Sequence, residues 1–506
     1  MEKNEFDSKF KELTKIFDKV KRYLHMYSVL QYDQSTVCPQ SGMEEHNKDF
    51  VEIEEVFFKL CNSPKYFKLI EELSANIDLC DNEYDKVLIR KLNKSYLRDK
   101  NITSKQNKQF SIIMNSAFTS WIKAKEENDY NIFKPTLKKI VELSKKKVEL
   151  SSLPSLGNPL NDIMDSYEEG MTTELLDPFF EKLKERIVPL CKKIRESKTF
   201  IRSDFTTRYV PRTKQLEFAK YLLETIGFDL TKGCIGESEH PFTTSISQFD
   251  TRVTTHIYEN NFISNMYSII HEGGHGIFGQ SIPQEMYDHN IDGYRSLAED
   301  ESSSRFFENI IGRSKEFIHL IYPKFHEIFR VELGDVTETE LYRAVNQVSF
   351  QPIRTEADEL TYSLHIMIRY EIEKELLNNN LSVNNLNKLW NKKYKEYLGI
   401  DVKNDNEGIL QDVHWSSGFG YFPTYSLGNA YNAMYYNRMR KEIDVPGLIQ
   451  SNNIKEIVNW LKENVYESAS YLTPKEWIKK ITGRELDPTD YLDYLENKYS
   501  ELYNLK

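Results

Sequence analysis

Residues 269–276 have the sequence IIHEGGHG, which contains the pattern H-E-x-x-H. In a helix, His271 and His275 lie one turn apart on the same face, where both can bind one metal ion. Glu272, next to the first histidine, can take a proton from a water molecule that the metal activates. The segment predicts a hydrolytic metal site, against the alternative of a polar helix face with two ordinary histidines.

The residues around this pattern predict a helix with one buried side. On a helical wheel at about 100° per residue, His271 and His275 fall opposite an apolar sector. Gly273 falls inside that sector, where the absence of a Cβ atom lets another backbone approach closely. Because each glycine lowers helix propensity by roughly 1 kcal/mol, a sequence that only had to form a helix would not contain two here. The residues of the apolar sector are Phe262, Met266, Ile269, Ile270 and Ile277.

A catalytic zinc site with two histidines needs a third protein ligand and leaves its fourth position to water. The candidates are the acids of residues 296–305, SLAEDESSSR, in which the first serine is a plausible helix N-cap. On the wheel, Glu299 and Asp300 lean toward the apolar stripe of the following residues, whereas Glu301 lies opposite it. Glu301 is therefore the predicted third ligand, and Glu308 is the reserve candidate. The stripe consists of Phe306, Phe307, Ile310 and Ile311.

Composition and charge restrict the class of protein. The 506 residues include 78 acidic and 67 basic side chains, a net charge of −11, which argues against nucleic acid or an anionic membrane as a partner. No apolar run reaches the ~20 residues of a membrane span, and the N-terminus has no secretory signal pattern. The five cysteines lack C-x-x-C spacing. We therefore expect a cytoplasmic protein with reduced thiols.

Local patterns predict helices over most of the chain. Apolar residues recur at helical spacing from Glu5 to about Leu150, and two further helices are predicted at about 174–197 and 214–227. Only 20 glycines and 16 prolines occur, which favours long helices over a turn-rich β fold. The sequence contains no internal repeat and no low-complexity linker. A single large domain is therefore expected, although the length alone would suggest about three.

The region before the metal helix has a different residue composition. Residues 241–247 and 251–257 are rich in β-branched side chains and predict two short strands. These strands form either a structural hairpin or an edge that pairs with an extended peptide above the metal. We expect a helical N-terminal part at about 1–235, a catalytic core at about 236–430 and C-terminal helices at about 431–506.

Four further segments are distinctive: HPF at 240–242, DTRVT at 250–254, IRTEAD at 353–358 and GILQDVHW at 408–415. With the metal motif, their order and approximate spacing resemble the carboxypeptidase Taq family of thermostable metallocarboxypeptidases, over nearly the whole chain. Asp300 and Ser303 depart from the family pattern, because they flank Glu301 where the family has His and Gln. Tyr32 likewise replaces a tryptophan.

The resemblance implies a mainly α-helical fold with a long active-site cleft and a small β-sheet next to the metal helix. It implies one zinc ion per chain, bound by His271, His275 and Glu301, with Glu272 as the general base. Cobalt or manganese are possible substitutes for zinc. The implied substrates are peptides with a free C-terminus, cleaved with broad specificity, and the implied assembly is a homodimer.

A carboxypeptidase also needs donors for the developing oxyanion and a cation for the terminal carboxylate of the substrate. The oxyanion candidates are His414 and Tyr421, with Tyr425 close by in sequence. Arg354 is the first candidate for the carboxylate, followed by Arg252 and by the hydroxyl of Tyr425. Without the resemblance, His414 is better explained as a core histidine and Arg354 as an ordinary ion-pair residue; the resemblance implies that both belong to the site.

Two other functions stay open. A helical zinc oligopeptidase that cuts peptides internally would share the metal chemistry but lack a site for the terminal carboxylate. A non-enzymatic binding protein with a decayed site is the third possibility, and the altered neighbours of Glu301 are the feature in its favour.

Overall fold

The computed structural model describes residues 1–293 and 295–505, and helices make up most of that length. Three short strands form one small sheet in the middle of the chain. This architecture confirms the predicted mainly α fold with a small sheet beside the metal helix.

The part of the chain before the sheet is helical, as the spacing of apolar residues predicts. The predicted helix at about 174–197 corresponds to α8, and the one at about 214–227 corresponds to α9. The helices are α1 (Lys3–Thr36), α2 (Met43–Cys61), α3 (Pro64–Ala75), α4 (Glu83–Asp99), α5 (Ser104–Glu127), α6 (Tyr130–Leu150), α7 (Pro159–Met164), α8 (Thr173–Glu196) and α9 (Arg212–Ile226).

The sheet contains the two predicted strands and one that the sequence did not predict. The strands are β1 (Gly233–Glu237), β2 (Thr243–Ser247) and β3 (Asp250–Thr255), in the order β1-β3-β2. β2 pairs antiparallel with β3, opposing Thr243 to Val253, while β1 pairs parallel with β3. The sequence of β1, GCIGE, has two glycines and little alternation, so it gives no strand signal. β2 is an edge strand, and its first residue, Thr243, lines a large cleft.

The second half of the chain returns to helices. The segment after α12 is a π-helical turn, Phe306–Ile311, that continues the same helix with a different periodicity. The helices are α10 (Phe262–Ser281), α11 (Gln284–Asp288), α12 (Leu297–Arg305), α13 (Lys315–Ile328), α14 (Arg330–Leu333), α15 (Glu338–Val345), α16 (Glu359–Leu377), α17 (Leu386–Leu398), α18 (Pro423–Met439), α19 (Val445–Gln450), α20 (Ile454–Leu461), α21 (Pro474–Thr482) and α22 (Thr489–Tyr503).

One large hydrophobic core joins helices from both halves of the chain. It extends from Leu88 in α4 to Tyr503 at the end of α22 and passes through α10, α12 and α18. It therefore crosses the boundaries predicted near residues 235 and 430. A second, smaller cluster lies under α1, α3 and α4, around Leu13 and Leu73.

Two further features concern the cysteines and the length of the apolar helices. The five cysteines are free thiols in this structure. Within the part of the chain that the structure describes, no helix has both the length and the apolarity needed to cross a membrane.

Candidate active site

Helix α10 carries the H-E-x-x-H pattern with the orientation that the wheel predicts. Its five apolar-sector residues are all buried, whereas His271 and His275 lie on the opposite side and line a cleft. Asn261 caps the helix by accepting a hydrogen bond from the backbone N–H of Ser264. The buried face fixes the rotation of α10 about its axis, and this rotation directs both imidazoles into the cleft.

The two glycines of the motif serve close packing, but not in the predicted way. A Cβ atom on Gly273 would lie 2.6 Å from side-chain atoms of Leu223 and Ile226 in α9. It is Gly274 that a backbone approaches, because a Cβ there would lie 2.7 Å from the Cα of Ser304 in α12. The missing side chain of Gly274 thus lets α12 come close enough to bring its acids to the histidines.

Glu301 meets the two histidines at one point. The side chains of His271, His275 and Glu301 each offer one ligand atom, and the three atoms lie within 4.8 Å of one another. Ser296 caps α12, as predicted, by accepting a hydrogen bond from the backbone N–H of Glu299. Two imidazole nitrogens and one carboxylate are the donors of a catalytic zinc site with an open position.

Each metal-site histidine is held by a second carboxylate on its Nδ1 atom. The Nδ1 atom of His271 lies 2.9 Å from Oε2 of Glu308, and that of His275 lies 2.7 Å from Oδ1 of Asp300. A carboxylate on one ring nitrogen fixes the tautomer and the ring orientation, and it leaves Nε2 for a metal. Glu308, the reserve metal ligand, therefore orients His271 and lies outside the group of converging ligand atoms.

The orientation of Asp300 differs from the prediction, in which the helical wheel turned this residue toward the apolar stripe. Its carboxylate lies in the cleft against His275. The wheel failed because it assumed 3.6 residues per turn through residues 306–311, where the helix makes a π-turn and its phase changes. The replacement of the family's histidine by Asp300 thus leaves His275 with a strong hydrogen-bond partner, which argues against a decayed site.

Two arginines that the sequence reasoning missed neutralise this acidic cluster. Arg305 donates from Nε to Oε1 of Glu301 at 2.8 Å and lies 3.2 Å from Glu308. Arg313 contacts the other oxygen of Glu308 at 3.4 Å. Burial by itself would raise the pKa of Glu301, but Arg305 and the two histidines outweigh it and lower the pKa. Glu301 is therefore ionised and able to bind a cation.

The carboxylate of Glu272 is fixed by the edge strand β2. The Thr243 hydroxyl lies 2.7 Å from Oε2 of Glu272 and 2.9 Å from its backbone carbonyl oxygen. Glu272 is only 7% exposed and lines the cleft beside both histidines. The sequence predicted β2 but not this contact, because nothing local to Thr243 indicates which helix it faces.

The cleft has a volume of about 920 Å³, enough for several residues of an extended peptide. Tyr421 and Tyr425 line it, as does Arg354. Burial, with a smaller effect of Glu301, raises the pKa of Tyr421 to about 12. Its hydroxyl therefore stays protonated at neutral pH and can donate a hydrogen bond to a developing negative charge.

His414 lies behind the tyrosines and is not among the cleft-lining residues of the described chain. Its Nε2 atom is 3.3 Å from the hydroxyl of Tyr425, and its ring packs against Phe422 at 4.7 Å between centroids. Burial lowers the pKa of His414 to about 4, so the ring is neutral. The direct role at the oxyanion stays a prediction for His414; in this structure its polar contact with a cleft-lining residue is the one with Tyr425.

Arg354 is part of a buried network on the cleft wall. Its Nε and Nη2 atoms donate to Asp412 at 2.8–3.2 Å, and Nη1 donates to the hydroxyl of Tyr362 at 3.0 Å. Arg369, which is fully buried, binds the other side of Asp412 and also Gln411. The partner Asp412 is distant in sequence and comes from the GILQDVHW segment, so the network joins two of the segments that carry the family resemblance.

Arg252 is not brought to the cleft. It lies on β3 and binds Asp250 through two hydrogen bonds of 2.8 Å, with its guanidinium 5.2 Å from the ring centroid of Tyr32. It is absent from the cleft-lining residues of the described chain. In this structure Arg252 holds its own strand through Asp250. Of the two arginines predicted to bind the terminal carboxylate, Arg354 is the one that lines the cleft.

The protonation of His275 makes metal uptake depend on pH. Burial favours its neutral form, but the carboxylates of Asp300, Glu272 and Glu301 outweigh burial and raise its pKa to about 9. A metal ion therefore has to displace a proton at neutral pH. We expect the apparent metal affinity of chelator-stripped enzyme to rise about tenfold per pH unit from pH 7 to about 9, measured by competition with a chelating indicator.

The control for this expectation is Asp300→Asn, which removes the nearest carboxylate. The pH dependence should then move to lower pH, and the affinity at high pH should fall about 10- to 100-fold because the ring loses its orienting partner. A metal affinity that does not change with pH in the unmodified enzyme would contradict the assigned protonation of His275.

Comparisons with known proteins agree with this geometry. A family profile described as Carboxypeptidase Taq (M32) metallopeptidase matches residues 12–499. Carboxypeptidase 1 of Bacillus subtilis is 36% identical over 507 residues, covering 100% of both chains. Thermostable carboxypeptidase 1 of Thermus thermophilus is 32% identical and covers 93% of this chain and 94% of its own.

A comparison with solved structures also finds a carboxypeptidase of this family. The crystal structure of M32 carboxypeptidase from Deinococcus radiodurans R1 superposes with a TM-score of 0.93 at 30% identity, covering 98% of this chain and 100% of that one. The converging His-His-Glu group, the adjacent glutamate and these full-length matches lead to one conclusion: the chain belongs to the carboxypeptidase Taq (M32) family and is a metallocarboxypeptidase.

Proposed function

We propose that the chain is a zinc-dependent carboxypeptidase of broad specificity that removes C-terminal residues from peptides, with Glu272 as the general base. The observation that carries this proposal is the convergence of His271, His275 and Glu301 within 4.8 Å, beside Glu272 and in the same cleft as Arg354. Zinc is the proposed ion because two imidazoles and one carboxylate are a common catalytic zinc ligand set. Cobalt and manganese are substitutes that the same donors accept.

The donor set fits a divalent cation. Asp300 and Glu308 hold the Nδ1 atoms, so Nε2 of each ring is the free ligand atom, and Arg305 binds only one oxygen of Glu301 in this structure. A zinc ion bound there supplies Lewis-acid polarisation of the scissile carbonyl and makes water more acidic.

The chain's own residues then carry the proton. Glu272 accepts it from the attacking water and delivers it to the leaving amine. The Thr243 hydroxyl, 2.7 Å from Oε2, keeps the carboxylate oriented through both transfers. The protonated hydroxyl of Tyr421 is the proposed donor to the developing oxyanion, and Tyr425 stands beside it with ring centroids 5.3 Å apart.

Arg354 is the proposed binding site for the terminal carboxylate. A guanidinium has five N–H groups, and three of them are used by Asp412 and Tyr362, leaving one on each terminal nitrogen. Two parallel donors of this kind suit a carboxylate. Asp412 and Tyr362 fix the guanidinium plane, so little entropy is lost when a substrate binds.

We propose further that the enzyme acts as a homodimer in the cytoplasm. The resemblance to the family supports the dimer. The five free thiols and the net charge of −11 suit a reducing compartment without a nucleic-acid or membrane partner.

Removal and return of the metal tests the proposed dependence. Chelator treatment should abolish hydrolysis, and added zinc should restore it, with cobalt and manganese restoring it in part. Hydrolysis that persists in metal-free enzyme, confirmed by elemental analysis, would refute the proposal.

A second candidate is a zinc oligopeptidase that cuts internally. The observation in its favour is that Asp412 already binds the Nε and Nη2 edge of Arg354. An endopeptidase would cleave a C-terminally amidated peptide as fast as the free acid, whereas the proposed carboxypeptidase would not.

A further inference from the structure

A second group of possible metal ligands lies outside the cleft, where α1 ends and α2 begins. Asp33 is in the last turn of α1, Cys38 is in the connection, and His46 is in the first turn of α2. Each offers one ligand atom, and the three atoms lie within 4.8 Å of one another. None of these residues contributes to the active-site cleft.

The arrangement differs from that of a nucleophilic triad. In a triad the imidazole stands between its partners and bonds the carboxylate with one nitrogen and the nucleophile with the other, so that the partners lie on opposite sides of the ring. Here the Asp33 carboxylate lies 2.9 Å from Nε2 of His46. The Cys38 sulfur lies within 4.8 Å of both a carboxylate oxygen of Asp33 and a ring nitrogen of His46, so the thiol and the carboxylate are not on opposite sides of the ring. Three donors that converge on one point are the geometry of a metal site.

The side chains are held in place before any ion binds. Asp33 fixes the His46 ring, which is only 12% exposed and packs 5.6 Å from the centroid of Phe50. Its Nδ1 atom is buried without a hydrogen-bond partner in the described part of the chain. Gln34 donates to Asn47 at 2.7 Å and ties the same two helices together next to the group. A site that is already ordered binds an ion at a lower entropic cost.

We propose that Asp33, Cys38 and His46 bind a second, thiophilic divalent cation, Zn²⁺ or a chemically similar ion. Thiolate, imidazole and carboxylate are the ligand types that zinc prefers, and three protein ligands leave one position for water. The thiol proton passes to solvent when the ion binds, the imidazole binds in its neutral form, and the weak contact of the thiol with the Pro39 carbonyl is given up. The ion would link α1 to α2 across the turn.

The link would reach the active-site region through Tyr32, the neighbour of Asp33. The ring of Tyr32 packs edge-on against Phe242, with centroids 6.2 Å apart, and Phe242 lines the cleft. The proposed site therefore anchors the end of α1 that supports one side of the cleft.

Cobalt titration of the full-length enzyme tests the proposal without measuring activity. The cleft ligands include no thiolate, so a thiolate-to-cobalt charge-transfer band in the near ultraviolet reports the second site alone. We expect two ions per chain and this band in the unmodified enzyme. In Cys38→Ser the band should disappear and the stoichiometry should fall to one, and His46→Asn should lower the stoichiometry in the same way.

Cys61→Ser is the matched control, because it removes a partly buried thiol from the other end of α2. It should keep both ions and the band. One ion per chain in the unmodified enzyme would overturn the proposal. The proposal would also be overturned if Cys38→Ser kept both the charge-transfer band and two bound ions per chain. Either outcome is independent of whether the cleft site hydrolyses peptides.

Discussion

Glu272→Gln should lower kcat by about 10²- to 10⁴-fold and leave the metal affinity nearly unchanged. The amide keeps the shape of the carboxylate but cannot accept a proton from water. The Thr243 hydroxyl can still donate to its carbonyl oxygen, so the side chain should stay in place. Steady-state kinetics on a free-acid peptide, with metal content measured in the same preparation, distinguish loss of the base from loss of the ion.

A control for the loss of one cleft carboxylate is Glu239→Gln. Glu239 also lines the cleft but is exposed, and it should change kcat little. If Glu272→Gln kept more than about a tenth of the normal kcat with its metal bound, Glu272 would not be the general base.

Arg354→Ala should lower kcat/KM for free-acid peptides by about 10²-fold or more, mainly through KM. Cleavage of amidated peptides, already slow, should change much less, because they carry no terminal charge. The ratio of free-acid to amidated cleavage should therefore fall toward one. Comparing this ratio between variants cancels effects that act on both substrates, including any loss of metal.

Because Arg354 belongs to a buried ion-pair network, its removal can also lower the stability of the protein, and stability therefore has to be measured with activity. Arg354→Ala leaves Asp412 with Arg369 as its remaining cationic partner, and loss of one member of a buried ion pair costs about 3–5 kcal/mol. The midpoint of thermal unfolding should be measured alongside. Arg252→Ala is the comparison, because Arg252 pairs with Asp250 outside the cleft and should leave the ratio unchanged. An unchanged ratio in folded Arg354→Ala would refute the carboxylate site.

The parts of the site that could be predicted are those that local periodicity controls. The apolar face of α10 fixes the direction of His271 and His275, so one wheel was sufficient for both. The same reasoning chose Glu301 from three consecutive acids, because on the wheel Glu301 lies opposite the apolar stripe that follows it. It failed for Asp300, since the apolar stripe used as reference lies in a π-turn that no local pattern announces.

Other contacts depend on tertiary packing and have no local signal. Thr243 reaches Glu272 only because the sheet packs on α10, and Arg305 looks like any exposed helical arginine in sequence. Strand β1 is stabilised by its parallel pairing with β3, while its own residues have low β propensity. The pairing of Arg354 with Asp412 joins positions 58 residues apart, which spacing alone cannot reveal.

The most direct test of the proposed reaction is a mass-spectrometric time course on one peptide in two forms, the free acid and the C-terminal amide. The free acid should yield a ladder of products that lose one C-terminal residue at a time, and a chelator should stop the ladder. The amidated peptide should stay largely intact over the same period. Internal fragments that arise from both forms at similar rates would contradict a carboxypeptidase and establish an endopeptidase instead.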